Sequence, residues 1–261
     1  MTNHLLQYYT DRKNKILDLI NSIKEELGDD ELYSMFEVLK CFKTYFKLVE
    51  SIDKSLLPTQ ETLIQFNHFY RTTEELENLS RQEKQIGKYE SDIGIDLTFL
   101  RSYIDELYDQ SKSAFMEHIS RVDKKQLDKY EEKLYNEKKD NGLRLKQIIR
   151  YTKKKIKKVE KDLEKKPTAG RFQELKNNIE EIFVLFDIIN TEKELEEILY
   201  TKLLKRSSYI YNWYNRVISY EIVKKYQQDY PVKAEKSYGS IEILKDYLVK
   251  KIYMKKVQME N

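Results

Sequence analysis

The residues best suited to chemistry in this sequence form a lysine-rich stretch, YTKKKIKKVEKDLEKK, at residues 151–166. Clustered ammonium groups bind phosphate polymers, because neutralising the phosphates releases condensed counterions and gives affinity without reading a base sequence. Arg144 and Arg150 are the only arginines nearby, and base-reading contacts usually come from the arginine fork. If DNA or RNA binds this stretch, we predict contact with its backbone and shape and not with its base sequence.

The positive charge of the chain is concentrated around this stretch. Residues 123–166 hold seventeen Lys or Arg against nine Asp or Glu, a net charge of +8, whereas the whole chain carries +3. Charges also occupy the non-seam positions of any exposed coiled coil, so a solvated helix face is one alternative and an acidic protein partner is another. The residues predicted to bind nucleic acid or an acidic partner are Arg144, Lys146, Arg150, Lys153, Lys154, Lys155, Lys157, Lys158 and Lys161.

A second candidate site is the aromatic segment SSYIYNWYNRVISY, residues 207–220. At 100° per residue its apolar and aromatic side chains cover an arc of roughly 200°, wider than the stripe that packing on one core requires. Either the segment is a core helix, or its second edge meets a partner or stacks on nucleic-acid bases. The predicted protein-interface residues are Tyr209, Tyr211, Trp213, Tyr214 and Tyr220.

Patterns typical of catalytic or cofactor sites are missing. The glycines are never closer than seven residues apart, which excludes dinucleotide and phosphate loops. His4, His68 and His118 lack the spacings of helical metal sites. Cys41, the single cysteine, lies in an apolar helical pattern, where it is expected to pack as a small hydrophobe. We predict a protein that is not an enzyme and has no metal or cofactor, with a carboxylate-only metal enzyme as the catalytic alternative.

Long helices must position these residues. Three prolines and six glycines interrupt 261 residues, and the charged fraction is 36%, a pairing that favours long helices over short strands. Apolar residues recur at helical spacings before and after Gly28, and Thr59 is a suitable cap for a third helix. The stretch IGKYESDIGID, residues 86–96, loses the helical period and predicts a connector.

The basic stretch belongs to a predicted coiled-coil arm. The spacings 4, 3, 4, 3 and 4, expected of a coiled-coil seam, separate Leu145, Ile149, Thr152, Ile156, Val159 and Leu163. Antiparallel pairing with the arm before Gly142 is the simplest topology. The fold class is therefore all-α, an elongated helical bundle with a long antiparallel coiled-coil hairpin. The predicted domains are an N-terminal bundle at 1–90, the hairpin at 96–166 and a C-terminal bundle with a short basic terminal helix at 168–261.

The leading functional prediction is a non-enzymatic scaffold or complex subunit that binds another macromolecule, a protein partner or a second copy, through the coiled-coil arm and the aromatic helix. The alternative is a nucleic-acid-binding accessory protein that makes non-sequence-specific phosphate contacts. An anionic membrane surface is a third class of partner, and no small-molecule substrate is evident. Without a secretory signal or a long apolar run, the chain is expected to be soluble and intracellular, in the cytoplasm or in a eukaryotic nucleus.

Overall fold

The computed structural model describes residues 4–136, 141–163, 169–189 and 197–260, and all of its regular elements there are helical. This confirms the all-α prediction. A short 3-10 turn at Lys54–Leu56 follows the second helix. The α-helices are α1 His4–Glu25, α2 Asp29–Ile52, α3 Gln60–Ile93, α4 Thr98–Arg121, α5 Lys124–Asn136, α6 Asn141–Leu163, α7 Ala169–Ile189, α8 Glu197–Asp229, α9 Pro231–Lys236 and α10 Tyr238–Glu260. Within these ranges no helix is both long and apolar enough to cross a bilayer.

The helix ends follow local chemistry except at one predicted connector. Thr59 caps α3, because its hydroxyl oxygen accepts a hydrogen bond from the backbone N–H of Thr62 (3.3 Å). The connector predicted at residues 86–96 is wrong over residues 86–93, where α3 continues to Ile93. Buried side chains on this last part of the helix outweigh the low helix propensity of its glycine. The helix ends at Gly94, which adopts the left-handed conformation (φ 67°) typical of a glycine at this position.

Three clusters of buried apolar side chains hold the helices together. The first joins α1 and α2 to parts of α3, α4, α5, α6 and α7. The second joins the end of α3 and the start of α4 to the end of α8, α9 and α10. The third joins α6, α7 and α8. Each cluster combines segments that are distant in sequence. The predicted division of the chain into three domains, with boundaries near residues 90 and 166, stays a prediction.

The predicted coiled-coil hairpin is not confirmed, because α6 packs along α7 and against α2. The apolar seam of α6 is present: Thr152, Ile156 and Val159 are buried. Ile156 and Val159 belong to the same buried cluster as Ile179 and Ile182 of α7. The preceding helix, α5, packs against α1. The seam is therefore confirmed at Thr152, Ile156 and Val159, whereas Ile148 is buried and the predicted Ile149 is only half-buried. The predicted pairing of this seam with the preceding arm is not confirmed.

Polar contacts connect α5 to α1. The hydroxyl of Tyr9 donates to the backbone carbonyl of Leu127 (3.1 Å). Lys13 is 6% exposed, and its ammonium group lies 2.7 Å from Asp128 Oδ1 and also pairs with Glu131. The hydrogen bond from Lys13 holds the pKa of Asp128 below its ordinary value. Burial opposes ionisation of Glu131, but the hydrogen bonds that it accepts lower its pKa as well.

Replacing Lys13 by methionine is expected to lower the unfolding midpoint by several degrees at pH 7 and by less near pH 3. The pKa values of Asp128 and Glu131 are lowered by folding, so their contribution to stability is present above the ordinary carboxyl pKa of about 4 and is lost as pH falls. Thermal melts of the wild type and Lys13→Met at both pH values test this. The exposed Lys15→Met on the same helix is the control. A deficit that is equal at both pH values would contradict the ion-pair account.

Candidate polyanion-binding surface

One face of α6 presents exposed cations along its length, and we call these residues the basic face. At 100° per residue they fall within an arc of about 100°, opposite the buried seam that contains Ile156 and Val159. The seam fixes the rotation of the helix, so the cations point to solvent. The basic face consists of Lys146, Arg150, Lys153, Lys154, Lys157 and Lys161.

The basic face is long enough for several contacts. From Lys146 to Lys161 it extends about 22 Å at 1.5 Å per residue. A shallow groove of about 480 Å³ runs beside it, lined by five of its cations and Ile149. Within the described ranges no carboxylate forms an ion pair with any residue of the basic face, although the exposed Glu160 lies near its edge. The surface therefore carries positive charge that the described carboxylates leave uncompensated.

Two other predicted cations serve the protein's own packing. Lys155 Nζ lies 2.9 Å from Glu181 Oε1, and Lys158 Nζ lies 2.7 Å from Glu174 Oε1. Both carboxylates belong to α7, so the two ion pairs connect α6 to its neighbour. The ninth predicted residue, Arg144, has a side chain outside the described part of the chain. The structure thus separates a stripe of exposed cations from two that are already paired.

The Glu181 carboxylate is the centre of the contact between α6, α7 and α2. The Glu181 side chain is 4% exposed, accepts a hydrogen bond from the Tyr151 hydroxyl (2.8 Å) and lies 3.5 Å from Lys47 Nζ of α2. Burial opposes ionisation of this carboxyl, but the hydrogen bond from Lys155 and the charge of Lys47 outweigh it, so the pKa of Glu181 lies below its ordinary value. The buried Glu181 carboxylate therefore holds the face of α6 that lies opposite the basic face against α7 and α2.

The aromatic segment of α8 lies largely inside the molecule. Trp213 is 5% exposed and Tyr214 is 9% exposed, and both belong to the third cluster. The half-buried ring of Tyr211 faces the guanidinium of Arg81 (4.7 Å), and Lys176 lies 4.6 Å from the Tyr214 ring. Tyr209 and Tyr220 are half-buried. This placement favours the alternative interpretation, a core helix, because neither Trp213 nor Tyr214 is exposed enough to anchor a partner.

A buried polar network between α3 and α8 was missed by sequence reasoning. Arg81 pairs with Glu77 and donates to Asn215 Oδ1 (3.2 Å). The Ser219 hydroxyl donates to Gln82 Oε1 (2.5 Å). None of these residues forms a motif, and the one available signal was a polar residue on an otherwise apolar helix face. The Arg81 and Glu77 charges balance, so this network connects helices and offers no net charge to an anion.

The sequence matches no family model and no curated protein. The structure is similar to the crystal structure of the CHAD domain from the plant Ricinus communis, with a TM-score of 0.79. The match covers 98% of this chain and 88% of that chain at 8% sequence identity. At this identity the likeness shows the fold alone. The all-helical fold is therefore similar to that of a CHAD domain, and the ligand must be inferred from the residues of this chain.

Proposed function

We propose that this protein is a non-enzymatic binding module whose ligand is a phosphate-rich polymer held along the basic face of α6. The observation that carries the proposal is the set of exposed cations within one arc of one helix. Helices α2 and α7 hold the rear of α6, so the cations are presented on a rigid support. A rigid array loses little conformational entropy when it binds, which favours affinity.

The chemistry of the basic face favours contact with phosphate groups and not with bases. Five of its six cations are lysines, which act as point charges, whereas bidentate recognition of base edges is typical of arginine. Repeated phosphates along a polymer can contact successive turns of the helix, spaced about 5.4 Å apart. A nucleic-acid backbone and inorganic polyphosphate share this chemistry. The scaffold role predicted first depended on a projecting hairpin and an exposed aromatic face, so the basic face is now the better-supported binding element.

Fluorescence anisotropy with labelled single-stranded RNA at low salt tests this function. A Lys153→Gln, Lys154→Gln, Lys157→Gln variant is expected to bind about 100-fold more weakly, since each basic residue near an anionic surface contributes about 1 kcal/mol. The matched control changes three exposed lysines on other helices, Lys24, Lys88 and Lys112, to glutamine and is expected to bind nearly as the wild type. Equal losses in both triple variants would show general electrostatic attraction and contradict a defined site.

Competition between polyphosphate and RNA tests whether phosphate charge alone is sufficient for binding. Unlabelled inorganic polyphosphate, matched to the RNA in total charge, is expected to displace the labelled RNA from the wild-type protein. Displacement would show that the charge of the phosphate backbone is sufficient for binding. Failure of polyphosphate to displace RNA would contradict a site that reads phosphate charge alone.

A further inference from the structure

A cavity of about 390 Å³ opens between α3, α4 and α5, and none of the described side chains of α6 lines it. It lies at the break between α4, which ends at Arg121, and α5, which begins at Lys124. Helix α5 packs against α1 beyond this break, where Lys13 holds it. The volume of the cavity lies within the range of about 300 to 1,000 Å³ that is typical of small-molecule sites.

The floor of the cavity is apolar and its rim carries nitrogen donors. Ile16, Leu39 and Phe69 line it and are buried, so the cavity reaches the first cluster of the core. At the rim, His68 on α3 and Arg121 at the end of α4 are exposed. An apolar interior with a few convergent polar groups is the usual composition of a ligand site. This composition suits a molecule with a hydrocarbon body and a polar head.

The nitrogen donors at the rim, the Arg121 guanidinium and the imidazoles of His68 and His118, suit an anionic head. Burial lowers the pKa of His118, and the charges of Arg121 and His68 lower it further, against the opposing charge of Glu117. Arg121 pairs with Glu117 through one nitrogen, and a guanidinium has five N–H donors, which leaves several for a ligand. The carboxylate of Asp123, which also lines the rim, accepts a hydrogen bond from the backbone N–H of Lys125 (2.8 Å).

We propose that this cavity binds an amphiphilic carboxylate, such as a medium-chain fatty acid, with its hydrocarbon chain on the apolar floor and its carboxylate at His68, His118 and Arg121. This second site is independent of the polymer bound by α6. Affinity is expected to increase about fourfold with each methylene added to the chain until the cavity is filled. The charged head is expected to contribute about tenfold through charge-assisted hydrogen bonds.

Calorimetric titration with decanoate and with decan-1-ol, its uncharged counterpart, tests the proposal. The wild type is expected to bind decanoate about tenfold more tightly than decan-1-ol. A His68→Gln, Arg121→Gln variant, which changes exposed side chains and leaves the apolar floor and His118 intact, is expected to lose most of this preference. Lys112→Gln is the control, because it removes one exposed charge from α4 outside the cavity.

Three results would overturn this assignment. The first is the absence of saturable decanoate binding below its micellar concentration. The second is equal affinity of the wild type for decanoate and decan-1-ol, which would make the cavity a purely apolar site. The third is an equal loss of decanoate affinity in Lys112→Gln and in the His68→Gln, Arg121→Gln variant. Circular dichroism of each variant confirms that the comparison is between folded proteins.

Discussion

Replacing Trp213 by alanine is expected to lower the free energy of unfolding by about 3 to 5 kcal/mol while leaving the mass of the protein in solution unchanged. The indole belongs to the cluster that joins α6, α7 and α8, so its loss leaves a cavity that rigid helices fill incompletely. Urea denaturation followed by far-UV circular dichroism measures the stability, since the variant lacks the single tryptophan of the chain. Light scattering measures the mass.

The matched control for this change is Asn212→Ala, an exposed position on the same helix. It is expected to change stability by less than about 0.5 kcal/mol. If Trp213→Ala lowered the mass of an oligomer and left the stability of the folded chain intact, the ring would be an interface anchor. That result would contradict its place in the core.

Replacing Glu181 by glutamine is expected to lower the free energy of unfolding by about 2 to 4 kcal/mol at pH 7. Lys155 would lose its counter-charge and Tyr151 would lose a strong acceptor in a site where water has little access. Folding lowers the pKa of Glu181, so its stabilising contribution is fully present at pH values above its ordinary pKa of about 4.3. The contribution is lost as the pH falls through the lower pKa of the folded state. The deficit of the variant should therefore shrink on acidification.

Glu174→Gln is the control for Glu181→Gln, because it removes the same charge from the same helix but from an exposed ion pair with Lys158. Exposed pairs contribute at most about 1 kcal/mol. Denaturant titrations of both variants at pH 7 and near pH 3 measure the difference. Equal losses for the two substitutions would show that burial does not strengthen the Glu181 network.

Local features of the fold could be predicted from the sequence because their causes are local. The Thr59 cap requires a hydroxyl at the start of an apolar period, and the seam of α6 requires apolar residues separated alternately by four and three positions. The continuation of α3 through Gly87 was not predictable, because the packing that offsets its low helix propensity comes from distant segments.

The partner of α6 was not predictable for a different reason. Ile156 and Val159 would pack on almost any apolar helix face, so the seam does not specify a neighbour. The specific contacts are polar, such as Lys155 with Glu181 and Lys158 with Glu174. In a chain with 48 basic and 45 acidic residues, spacing does not identify the pairs that form.

The sequence predicted which type of residue forms the candidate site, but only some of the residues that form it. The lysine-rich stretch indicated a basic surface, and the structure exposes Lys153, Lys154 and Lys157 as part of it. The pairing of Lys155 with a buried carboxylate depends on the position of α7. The cavity at His68 and His118 had no sequence signal, because these residues are fifty positions apart and meet only when α3 and α4 pack together.

The salt dependence of RNA binding tests the proposed function most directly. With up to six phosphate contacts, the logarithm of the association constant is expected to fall linearly with the logarithm of salt concentration, with a slope of about −3 to −4. The Lys153→Gln, Lys154→Gln, Lys157→Gln variant should have a slope smaller in magnitude by about 2. A slope near zero for the wild type, or the same slope in wild type and variant, would contradict binding by the basic face of α6.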